Sequence, residues 1–427
     1  MVKSPSIVMA DEGGAMAAVS QPLDQAAVDA YAAPAVPMAD HYPHATNRRL
    51  LAVRSAADDP QLLRLHWDDG RQQAVHALVL RESCACVHCR HGVSLERTLD
   101  QAGYPLDLRP VDWRITAAGE LEIRWSPDGH VSRYAAGWLR HAGRVPQAAS
   151  APAPWGAEMA GRLRRFAFGE VMRRDGVLLD WLQALRDHGL AYLEAAPQEP
   201  GTLRSLLNRV AYVRETNFGV LFDVAARIDA NSNAYTSIAL EPHVDLPTRE
   251  YQPGFQFLHC LVNRAAGGAS LYCDGFRLAA GLADEDPAAF AMLTRVPVHF
   301  RFQDEAADYE AVAPIIGLAA DGRVDEIRFN PALMTWPDCP PAEVPEFYRA
   351  YRALLAQSRR ADNLVEVTMA AGQIAGFDNR RVLHGRRAFD PGCGHRHLQG
   401  AYLEREDLLS RIRVLRRMAP EPAEMEI

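Results

Sequence analysis

Three side chains that can bind a metal ion lie far apart in this sequence, and few folds can bring them together. Segment 239–247 contains His243 and Asp245, whereas His384 follows far downstream. Residues two apart on an extended strand point to the same side, so His243 and Asp245 present an imidazole and a carboxylate on one face. His384 can reach that face only if the sheet folds back on itself. The spacing therefore favours a fold built from such a sheet.

Two histidines and one carboxylate on one side of a metal ion leave its other positions open, an arrangement typical of Fe(II) oxygenases. H-x-D alone is a weak signal, because two polar residues on a strand more often form a solvated edge. Arg396 follows His384 closely, and its guanidinium can hold a carboxylate through two parallel hydrogen bonds. This order of residues is the one expected of a 2-oxoglutarate oxygenase.

Length, composition and charge limit the class of protein. A chain of 427 residues is too long for one small hydrophobic core and favours two domains. With 48% hydrophobic and 23% charged residues, the composition is that of an ordinary soluble globular protein. A formal charge of -8 argues against nucleic-acid binding. We find neither a run of apolar residues that could span a membrane nor a typical signal peptide, and we expect a cytoplasmic location.

A cysteine cluster in the first part of the chain predicts a second metal site. It has the spacing C-x-C-x-x-C and consists of Cys84, Cys86 and Cys89. Three thiolates this close can hold one zinc ion, and a fourth ligand would complete the tetrahedron. His130 follows an Asp-Gly turn and is a candidate, while His88 and His91 lie nearer in the sequence. A reduced, buried cluster without metal is the weaker alternative, because such cysteines oxidise easily.

Composition divides the chain into four segments. Residues 1–47 are rich in Ala, Pro and Gly and lack sustained periodicity, which predicts a disordered tail. Residues 48–148 contain the cysteine cluster and are predicted to form a small zinc-binding β domain. Residues 149–159 are rich in Pro and small residues, as linkers are. Residues 160–427 are predicted to form a larger domain, which contains the candidate iron ligands.

Short apolar runs between Gly and Pro turns predict many strands. These runs cover residues 62–67, 75–80, 121–125, 190–193, 255–262, 269–273, 296–302, 364–369 and 373–377. Apolar residues at helical spacing predict helices over residues 175–188, 202–210, 286–293 and 345–357. The pattern predicts a mainly β fold with flanking helices (α+β). Its larger domain would be a double-stranded β-helix, or jelly roll, whose mouth can hold a metal and two small molecules.

Several longer motifs resemble the gamma-butyrobetaine dioxygenase family, which is part of the Fe(II)- and 2-oxoglutarate-dependent oxygenases of the taurine dioxygenase type. The resemblance runs from about residue 62 to residue 417 and includes the C-x-C-x-x-C module. Its most specific parts are residues 214–224, 232–236, 243–250, 256–260, 267–268, 274–276, 377–384 and 396–400. The pairing of the two domains is far more specific than H-x-D alone.

The resemblance implies which residues hold each bound group. The iron ligands would be His243, Asp245 and His384. The distal carboxylate of 2-oxoglutarate would be anchored by Arg396, and Ser270 lies where a hydroxyl can reach the same cosubstrate. The zinc ligands would be Cys84, Cys86, Cys89 and His130. An aromatic cage around a quaternary ammonium group would be formed by Phe218, Phe222, Tyr235 and Tyr402.

An aromatic cage suits a trimethylammonium group, which cannot donate a hydrogen bond. The faces of aromatic rings are its best partners, worth ~2 kcal/mol or more when desolvated. Two of the four positions are Phe here, where some members of the family carry Tyr and Trp. A weaker cation–π contribution or a slightly different substrate is compatible with that change. The alternative interpretation is that the four aromatic residues are ordinary barrel core.

Four polar residues have less specific candidate roles. Ser232 and Asn330 could bind the carboxylate of the substrate. Asp378 and Asn379 could brace the strand that presents His384. For these residues, turn formation and supporting hydrogen bonds are the alternative.

The activity implied by the resemblance is hydroxylation of gamma-butyrobetaine to L-carnitine, with release of succinate and CO2. It would require Fe(II), 2-oxoglutarate, O2 and, as a reductant, ascorbate, with zinc in a structural role. One alternative is a dioxygenase for another trimethylammonium substrate, such as trimethylaminoethylphosphonate or trimethyllysine. A second is a non-catalytic betaine-binding protein, which would have no need of both the iron ligands and Arg396. A homodimer is also possible.

Overall fold

The computed structural model describes residues 48–56, 58–141, 153–225 and 236–418. The predicted tail, residues 1–47, lies outside the described residues. The chain divides into two compact units, residues 1–149 and residues 150–427. Among the described residues, none of the helices combines the length and the apolar composition that crossing a membrane requires.

The first unit contains two antiparallel sheets of three strands each. Its elements are β1 (Leu50–Ser55), β2 (Leu62–Trp67), β3 (Gln72–His76), α1 (Ala77–Glu82), β4 (Pro110–Ile115), β5 (Leu121–Trp125), β6 (Val131–Tyr134) and α2 (Ala136–His141). The sheets have the strand orders β1-β2-β3 and β4-β5-β6. The side chains between them form one apolar core, which includes Leu63, Trp67, Ile123 and Trp125.

The strand predicted over residues 75–80 was wrong in its second half, where α1 begins. The Nδ1 atom of His76 accepts a hydrogen bond from the Leu78 N–H, which caps the first turn of the helix. Ala77 and Leu80 are buried whereas Val79 is 48% exposed, so the burial has the period of a helix. A short, wholly apolar run does not show whether its period is that of a strand or of a helix. Here the His76 cap favours the helix.

The second unit contains seventeen strands and seven α-helices among the described residues. Its strands are β7 (Arg165–Ala167), β8 (Leu190–Glu194), β9 (Phe222–Ala225), β10 (Leu240–His243), β11 (Phe255–Asn263), β12 (Ala266–Gly267), β13 (Ser270–Asp274), β14 (Val298–Gln303), β15 (Asp308–Ala313), β16 (Ile316–Leu318), β17 (Val324–Ile327), β18 (Met334–Pro337), β19 (Val365–Val367), β20 (Ile374–Asp378), β21 (Val382–Arg386), β22 (Phe389–Asp390) and β23 (Arg396–Leu403). Its helices are α3 (Phe168–Arg173), α4 (Asp175–His188), α5 (Thr202–Asn208), α6 (Gly275–Glu285), α7 (Pro287–Arg295), α8 (Val344–Ser358) and α9 (Arg405–Met418).

Two facing sheets form the centre of this unit. The six-stranded sheet has the order β7-β8-β20-β11-β23-β9, and the four-stranded sheet has the order β10-β21-β13-β19. Between them lies an apolar cluster that takes Tyr192, Phe377 and Leu398 from the first sheet and Tyr272 and Val382 from the second. This arrangement confirms the predicted double-sheet jelly roll with helices outside it.

Helices cover the outer face of each sheet. The apolar sides of α4, α5 and α9 pack on the six-stranded sheet, and those of α6, α7 and α8 pack beside the four-stranded one. Helix α4 has the predicted bounds and ends at Gly189, whose φ of 70° is a left-handed conformation that favours glycine. Among the described residues, helices thus pack against both sheets.

Residues 153–159, which end the predicted linker, pack onto the larger unit. Trp155 is buried, its backbone N–H donates to the Asp274 carboxylate at 2.9 Å, and its indole N–H donates to the His188 carbonyl at 2.6 Å. Arg381, almost fully buried, donates to the same carboxylate at 2.8 Å. This part of the segment is therefore structural.

Candidate functional site

The four-stranded sheet brings the three candidate iron ligands together. Strands β10 and β21 are antiparallel neighbours, and His243 lies directly opposite His384. Asp245 follows the end of β10 and turns back, so its Oδ1 is 3.3 Å from Nε2 of His243 and 3.7 Å from Nε2 of His384. One ligand atom from each residue lies within 4.8 Å of the others. The pairing of these two strands thus brings together two ligands that are far apart in the sequence.

The turn that carries Asp245 is fixed through its backbone. The Asn379 amide accepts from the Asp245 N–H at 2.8 Å and donates to the Asp245 carbonyl at 2.9 Å. On the preceding residue, the Val244 N–H donates to the Phe329 carbonyl and its own carbonyl accepts from Asn330. The sequence analysis expected Asn379 to brace the strand that presents His384. The hydrogen bonds of its side chain hold the turn that carries Asp245.

The Asp245 carboxylate is also oriented through its second oxygen. Oδ2 accepts a hydrogen bond from the Tyr402 hydroxyl at 2.7 Å and another from the Gln256 amide at 2.8 Å. Oδ1 is left facing the two histidines. Gln256 was not among the candidate residues, because a glutamine within an apolar strand gives no local sign of the carboxylate that it will meet.

The surroundings of His384 and Asp245 favour the protonation states that bind metal, whereas for His243 burial lowers the pKa but the Asp245 carboxylate outweighs it and raises the pKa overall. Burial and then the neighbouring His243 lower the pKa of His384 to about 3. Burial alone would raise the pKa of Asp245, but the two histidines and the Tyr402 hydroxyl lower it. His384 is therefore neutral and Asp245 ionised at neutral pH, which are the forms that coordinate a metal ion. The donor set fits Fe(II), because two imidazoles and one carboxylate bind on one side and leave positions free.

A cavity of about 570 Å³ opens beside these ligands and is lined by both sheets. Its volume is in the usual range for sites that bind small molecules. Arg396, Arg386 and Ser270 contribute to its wall. Arg396 is 6% exposed, and none of the described residues accepts a hydrogen bond from its Nε.

Two buried arginines, Arg386 and Arg396, bring positive charge to this part of the cavity. Burial and then the nearby Arg396 lower the pKa of Arg386 to about 10. Arg386 donates to the carbonyls of Thr236 and Ile238, at 2.6 and 3.0 Å. Buried charges are normally paired, so an arginine such as Arg396 requires an anion. A dicarboxylate that also reaches the metal fits that requirement.

Aromatic side chains line another part of the cavity. The Phe222 and Tyr402 rings are stacked with centroids 5.1 Å apart, and the Phe218 and Phe222 centroids are 6.3 Å apart. Phe302, which sequence reasoning missed, lies 5.9 Å from Phe218. Tyr235 and Ser232, two predicted substrate residues, lie outside the described residues. The described part of the predicted cage therefore has three rings together and a fourth that the sequence did not identify.

A glycine makes room for this aromatic group. Phe222 on β9 is the cross-strand partner of Gly400 on β23. A Cβ atom added at Gly400 would lie 2.3 Å from the Phe222 ring, closer than any real contact. Tyr402 stands two residues further along β23, on the same face of the sheet. The Phe222 ring can therefore lie over Gly400 and stack on Tyr402.

The structure gives Asn330 a contact that competes with its predicted role. Its side-chain amide donates to the Val244 carbonyl at 3.0 Å, and its side-chain oxygen accepts from the Ala332 N–H at 3.1 Å. It nevertheless lines the cavity. One amide hydrogen is left over, so binding of the substrate carboxylate by Asn330 stays a prediction.

The first unit brings the four predicted zinc ligands together. Nε2 of His130 is 3.3 Å from Sγ of Cys84, 3.6 Å from Sγ of Cys86 and 3.7 Å from Sγ of Cys89. A tetrahedral zinc ion would place nitrogen and sulfur ligands about 3.6 Å apart. The donors fit zinc in both chemistry and spacing, and among the described histidines it is His130 that joins the cysteines.

The cluster favours a thiolate at Cys84, whereas its neighbours Cys84 and Cys86 raise the pKa of Cys89. Hydrogen bonds from the neighbouring cysteines and from His130 lower the pKa of Cys84. The buried Arg81 guanidinium donates to Sγ of Cys89 at 3.3 Å and pairs with Asp128 at 3.3 Å. Three thiolates and one zinc ion carry one net negative charge, which Arg81 offsets. The same four residues would fill all four positions around a zinc ion, as in structural zinc sites.

Comparisons with known proteins agree with the resemblance seen in the sequence motifs. A family model described as taurine catabolism dioxygenase TauD, TfdA family matches residues 147–402, and one described as gamma-butyrobetaine hydroxylase-like, N-terminal, matches residues 55–147. The gamma-butyrobetaine dioxygenase of Pseudomonas sp. (strain AK-1) is 44% identical over 372 residues, covering 86% of this chain and 96% of that protein.

Two further relatives are more distant. The gamma-butyrobetaine dioxygenase of Homo sapiens is 31% identical over 377 residues, covering 84% of this chain and 96% of that protein. The trimethyllysine dioxygenase of Meyerozyma guilliermondii is 27% identical over 381 residues, covering 84% of this chain and 94% of that protein. The similarity thus extends over both units.

Proposed function

This chain belongs to the taurine catabolism dioxygenase TauD, TfdA family, and we propose that it hydroxylates gamma-butyrobetaine to L-carnitine. It is an Fe(II)- and 2-oxoglutarate-dependent dioxygenase that consumes O2 and releases succinate and CO2, with zinc held by its first unit. One observation carries the substrate proposal. A single cavity contains the iron ligands, the buried Arg396 and a group of aromatic rings. The iron ligands suit the metal, Arg396 suits 2-oxoglutarate, and the aromatic rings suit the trimethylammonium group of the substrate.

The cosubstrate end of the cavity is built for a dianion. Arg396 holds the distal carboxylate, because its planar guanidinium matches a carboxylate with two hydrogen bonds. Arg386 adds a second positive charge nearby, and Ser270 can donate a hydrogen bond from the same wall. His243, Asp245 and His384 hold the iron, which when bound supplies the activation of O2 and the oxidation of the substrate C–H bond.

The substrate end selects which carbon reaches the iron. Phe218, Phe222 and Tyr402 offer ring faces to a trimethylammonium group, and their apolar surface excludes water from it. Holding the cation at a fixed distance from His384 places a nearby C–H bond of the chain toward the metal. Positioning of this kind, rather than proton transfer, is the protein's contribution to such a reaction.

The main rival is an oxygenase for another trimethylammonium compound. Trimethyllysine and trimethylaminoethylphosphonate would need the same iron ligands, anchor and rings, and differ at the anionic end. The 44% identity to a gamma-butyrobetaine dioxygenase favours gamma-butyrobetaine. A non-catalytic betaine-binding protein is disfavoured, because it would need neither the metal ligands nor a second anion site.

Succinate release ranks the candidate substrates directly. The protein would be supplied with Fe(II), ascorbate and 2-oxoglutarate and tested with gamma-butyrobetaine, trimethyllysine and trimethylaminoethylphosphonate in turn. We expect the highest kcat/KM for gamma-butyrobetaine. A higher value for either other compound would replace the proposed substrate. Omitting ascorbate in a parallel series tests its proposed role as the reductant.

The aromatic cage has its own test, which uses a neutral isostere of the substrate. A tert-butyl group fills the volume of trimethylammonium without its charge. We expect the protein to bind the cation at least tenfold more tightly, the equivalent of ~1.4 kcal/mol, and Phe222→Leu to lose most of that preference. Equal binding of both compounds by the unmodified protein would show that the rings are packing only.

Oligomeric state and location are separate proposals. A homodimer is expected to sediment at twice the mass of the chain, and sedimentation equilibrium measures this. A cytoplasmic location is expected to place the protein in the soluble fraction of its source cells. Recovery with periplasmic or membrane fractions would contradict it.

A further inference from the structure

Two residues that contact Asp245 come from directly opposite positions in the six-stranded sheet. Gln256 on β11 and Tyr402 on β23 are cross-strand partners. Side chains of such a pair stand side by side on one face of the sheet. Here that face is the inner one, and both side chains reach the same atom, Oδ2 of Asp245, at 2.8 and 2.7 Å. The register of two strands thus determines the position of an iron ligand that belongs to the other sheet.

These two hydrogen bonds leave one oxygen of Asp245 for the metal. A carboxylate oxygen has two lone pairs in its plane, and on Oδ2 both are used by donors. The acceptor is ionised, so the bonds are stronger than those between neutral groups. Oδ1 faces His243 and His384. A carboxylate that gave both oxygens to the metal would take one more coordination position, which the cosubstrate or O2 needs.

Tyr402 also belongs to the aromatic group. Its ring stacks on Phe222 with an interplanar angle of 24°, and its hydroxyl, at the far end of the ring, donates to Asp245. At 2% exposure the side chain has little freedom to move. One rigid side chain therefore contacts both the place proposed for the substrate and an iron ligand.

We propose that Gln256 and Tyr402 are positioning residues that restrict Asp245 to binding the metal through one oxygen. Tyr402 in addition fixes the distance between the aromatic rings and the metal. The first statement concerns metal binding and does not depend on the substrate, whereas the second rests on the proposed function. Residues that orient a metal ligand typically contribute a factor of roughly 10–100 in metal affinity or activity.

The test separates the hydroxyl of Tyr402 from its ring. Tyr402→Phe removes the hydrogen bond and keeps the stacked ring, and Gln256→Met removes the amide at nearly the same length. The iron-free protein, with zinc still bound in its first unit, is titrated with Mn(II) alone. Electron paramagnetic resonance follows the titration and gives the affinity of the iron site for metal without turnover. We expect Mn(II) to bind about tenfold more weakly to each variant. Thermal unfolding of each apoprotein shows that the fold is intact.

Phe222→Leu is the matched control, because it alters the aromatic group without touching Asp245. We expect it to bind Mn(II) as the unmodified protein does and gamma-butyrobetaine more weakly. For Tyr402→Phe we expect weakened metal binding together with more succinate released per product molecule, since Asp245 is then less well oriented. Mn(II) affinities of both Tyr402→Phe and Gln256→Met within twofold of the unmodified protein would overturn the proposal. Absence of gamma-butyrobetaine binding by the unmodified protein would overturn the substrate and leave the Mn(II) result valid.

Discussion

At the scale of single residues, the buried arginines differ in whether their guanidinium groups have acceptors. Arg328 donates to three backbone carbonyls in the turn after Asp245, and Arg381 pairs with a buried aspartate. For Arg396, no described residue provides an acceptor. Of the Arg328 guanidinium nitrogens, only Nε lacks an acceptor among the described residues, so the fold holds this guanidinium, whereas an arginine without acceptors is available to a ligand. This difference, which the sequence does not show, supports the proposal that Arg396 binds the anion.

Arg396→Lys should raise the Kd of 2-oxoglutarate by roughly ten- to hundredfold, because an ammonium cannot donate two parallel hydrogen bonds to one carboxylate. Mn(II) affinity should stay nearly unchanged. Calorimetric titration of the metal-loaded protein with 2-oxoglutarate measures the effect. Arg387→Lys is the control, since Arg387 is exposed and pairs with Glu366. If Arg396→Lys changes the Kd of 2-oxoglutarate no more than Arg387→Lys does, another residue anchors the cosubstrate.

The buried His259 side chain should make the free energy of unfolding depend on pH. It is fully buried on β11, no described residue bonds either ring nitrogen, and burial lowers its pKa to about 4. In the unfolded chain the His259 imidazole takes up a proton near pH 6.5. In the folded protein it does so only near pH 4. Stability contributed by neutral His259 is therefore complete above pH 6.5 and is lost as the pH falls towards 4.

The free energy of unfolding should accordingly fall by roughly 2 kcal/mol between pH 7 and pH 5 because of this residue. His259→Leu cannot titrate and should lose that part of the pH dependence. Urea unfolding of the two proteins at both pH values gives the comparison. Equal pH dependence in the two proteins would show that His259 finds a partner when protonated.

At the scale of elements, the register between strands determines the aromatic group. Gly400 lies opposite Phe222, and the same strand places Tyr402 on that face two residues later. The glycine has an ordinary strand conformation, so it is required here by space and not by backbone freedom. A one-residue shift of β23 would turn Tyr402 away from both Asp245 and Phe222.

Gly400→Ala should displace the Phe222 ring and weaken gamma-butyrobetaine binding about tenfold, while Mn(II) binding changes little. The expected loss is comparable to that from removing one ring of the group. Fluorescence or calorimetric titration with gamma-butyrobetaine measures it. Gly176→Ala, in a helix and with open space around the added methyl, is the control. Unchanged affinity in Gly400→Ala would show that the Phe222 ring does not contact the cation.

Sequence periodicity predicted nine strands and four helices, fewer than half of the 23 strands and nine α-helices that the described residues form, and it did not predict every contact between them. The bounds of α4 and β2 were predicted as found, because apolar residues recur there with a clear period. The apolar run that became α1 has no period to read. Phe302, Gln256 and Gly400 were missed for a different reason. Each acquires its role from a neighbour across a sheet or a cavity, and such neighbours are not visible in the local sequence.

At the scale of the whole molecule, two units use metals of different kinds. The first offers three thiolates and an imidazole that fill a tetrahedron, and the second offers an open set of two imidazoles and a carboxylate. Thiolates favour zinc, and the open set suits iron. The sequence predicted both donor sets because metal ligands are few in type, whereas the aromatic group and its supports depend on packing.

Changing Cys84, Cys86 and Cys89 together to Ser should abolish zinc binding, because serine hydroxyls do not replace thiolates at neutral pH. The first unit should then lose stability, since a structural zinc site contributes to folding. Metal analysis of the purified protein measures zinc, and limited proteolysis follows the first unit. Cys393→Ser, at an exposed position in the second unit, is the control. One zinc ion per chain in the triple variant would refute the assignment.

We propose that the cavity holds gamma-butyrobetaine so that one of its C–H bonds is hydroxylated. Product analysis by mass spectrometry, with isotopically labelled O2 and 2-oxoglutarate, tests it most directly. We expect L-carnitine with one labelled oxygen atom, in an amount equal to the succinate formed. Succinate formation that gamma-butyrobetaine does not stimulate, or that yields no hydroxylated product, would contradict it.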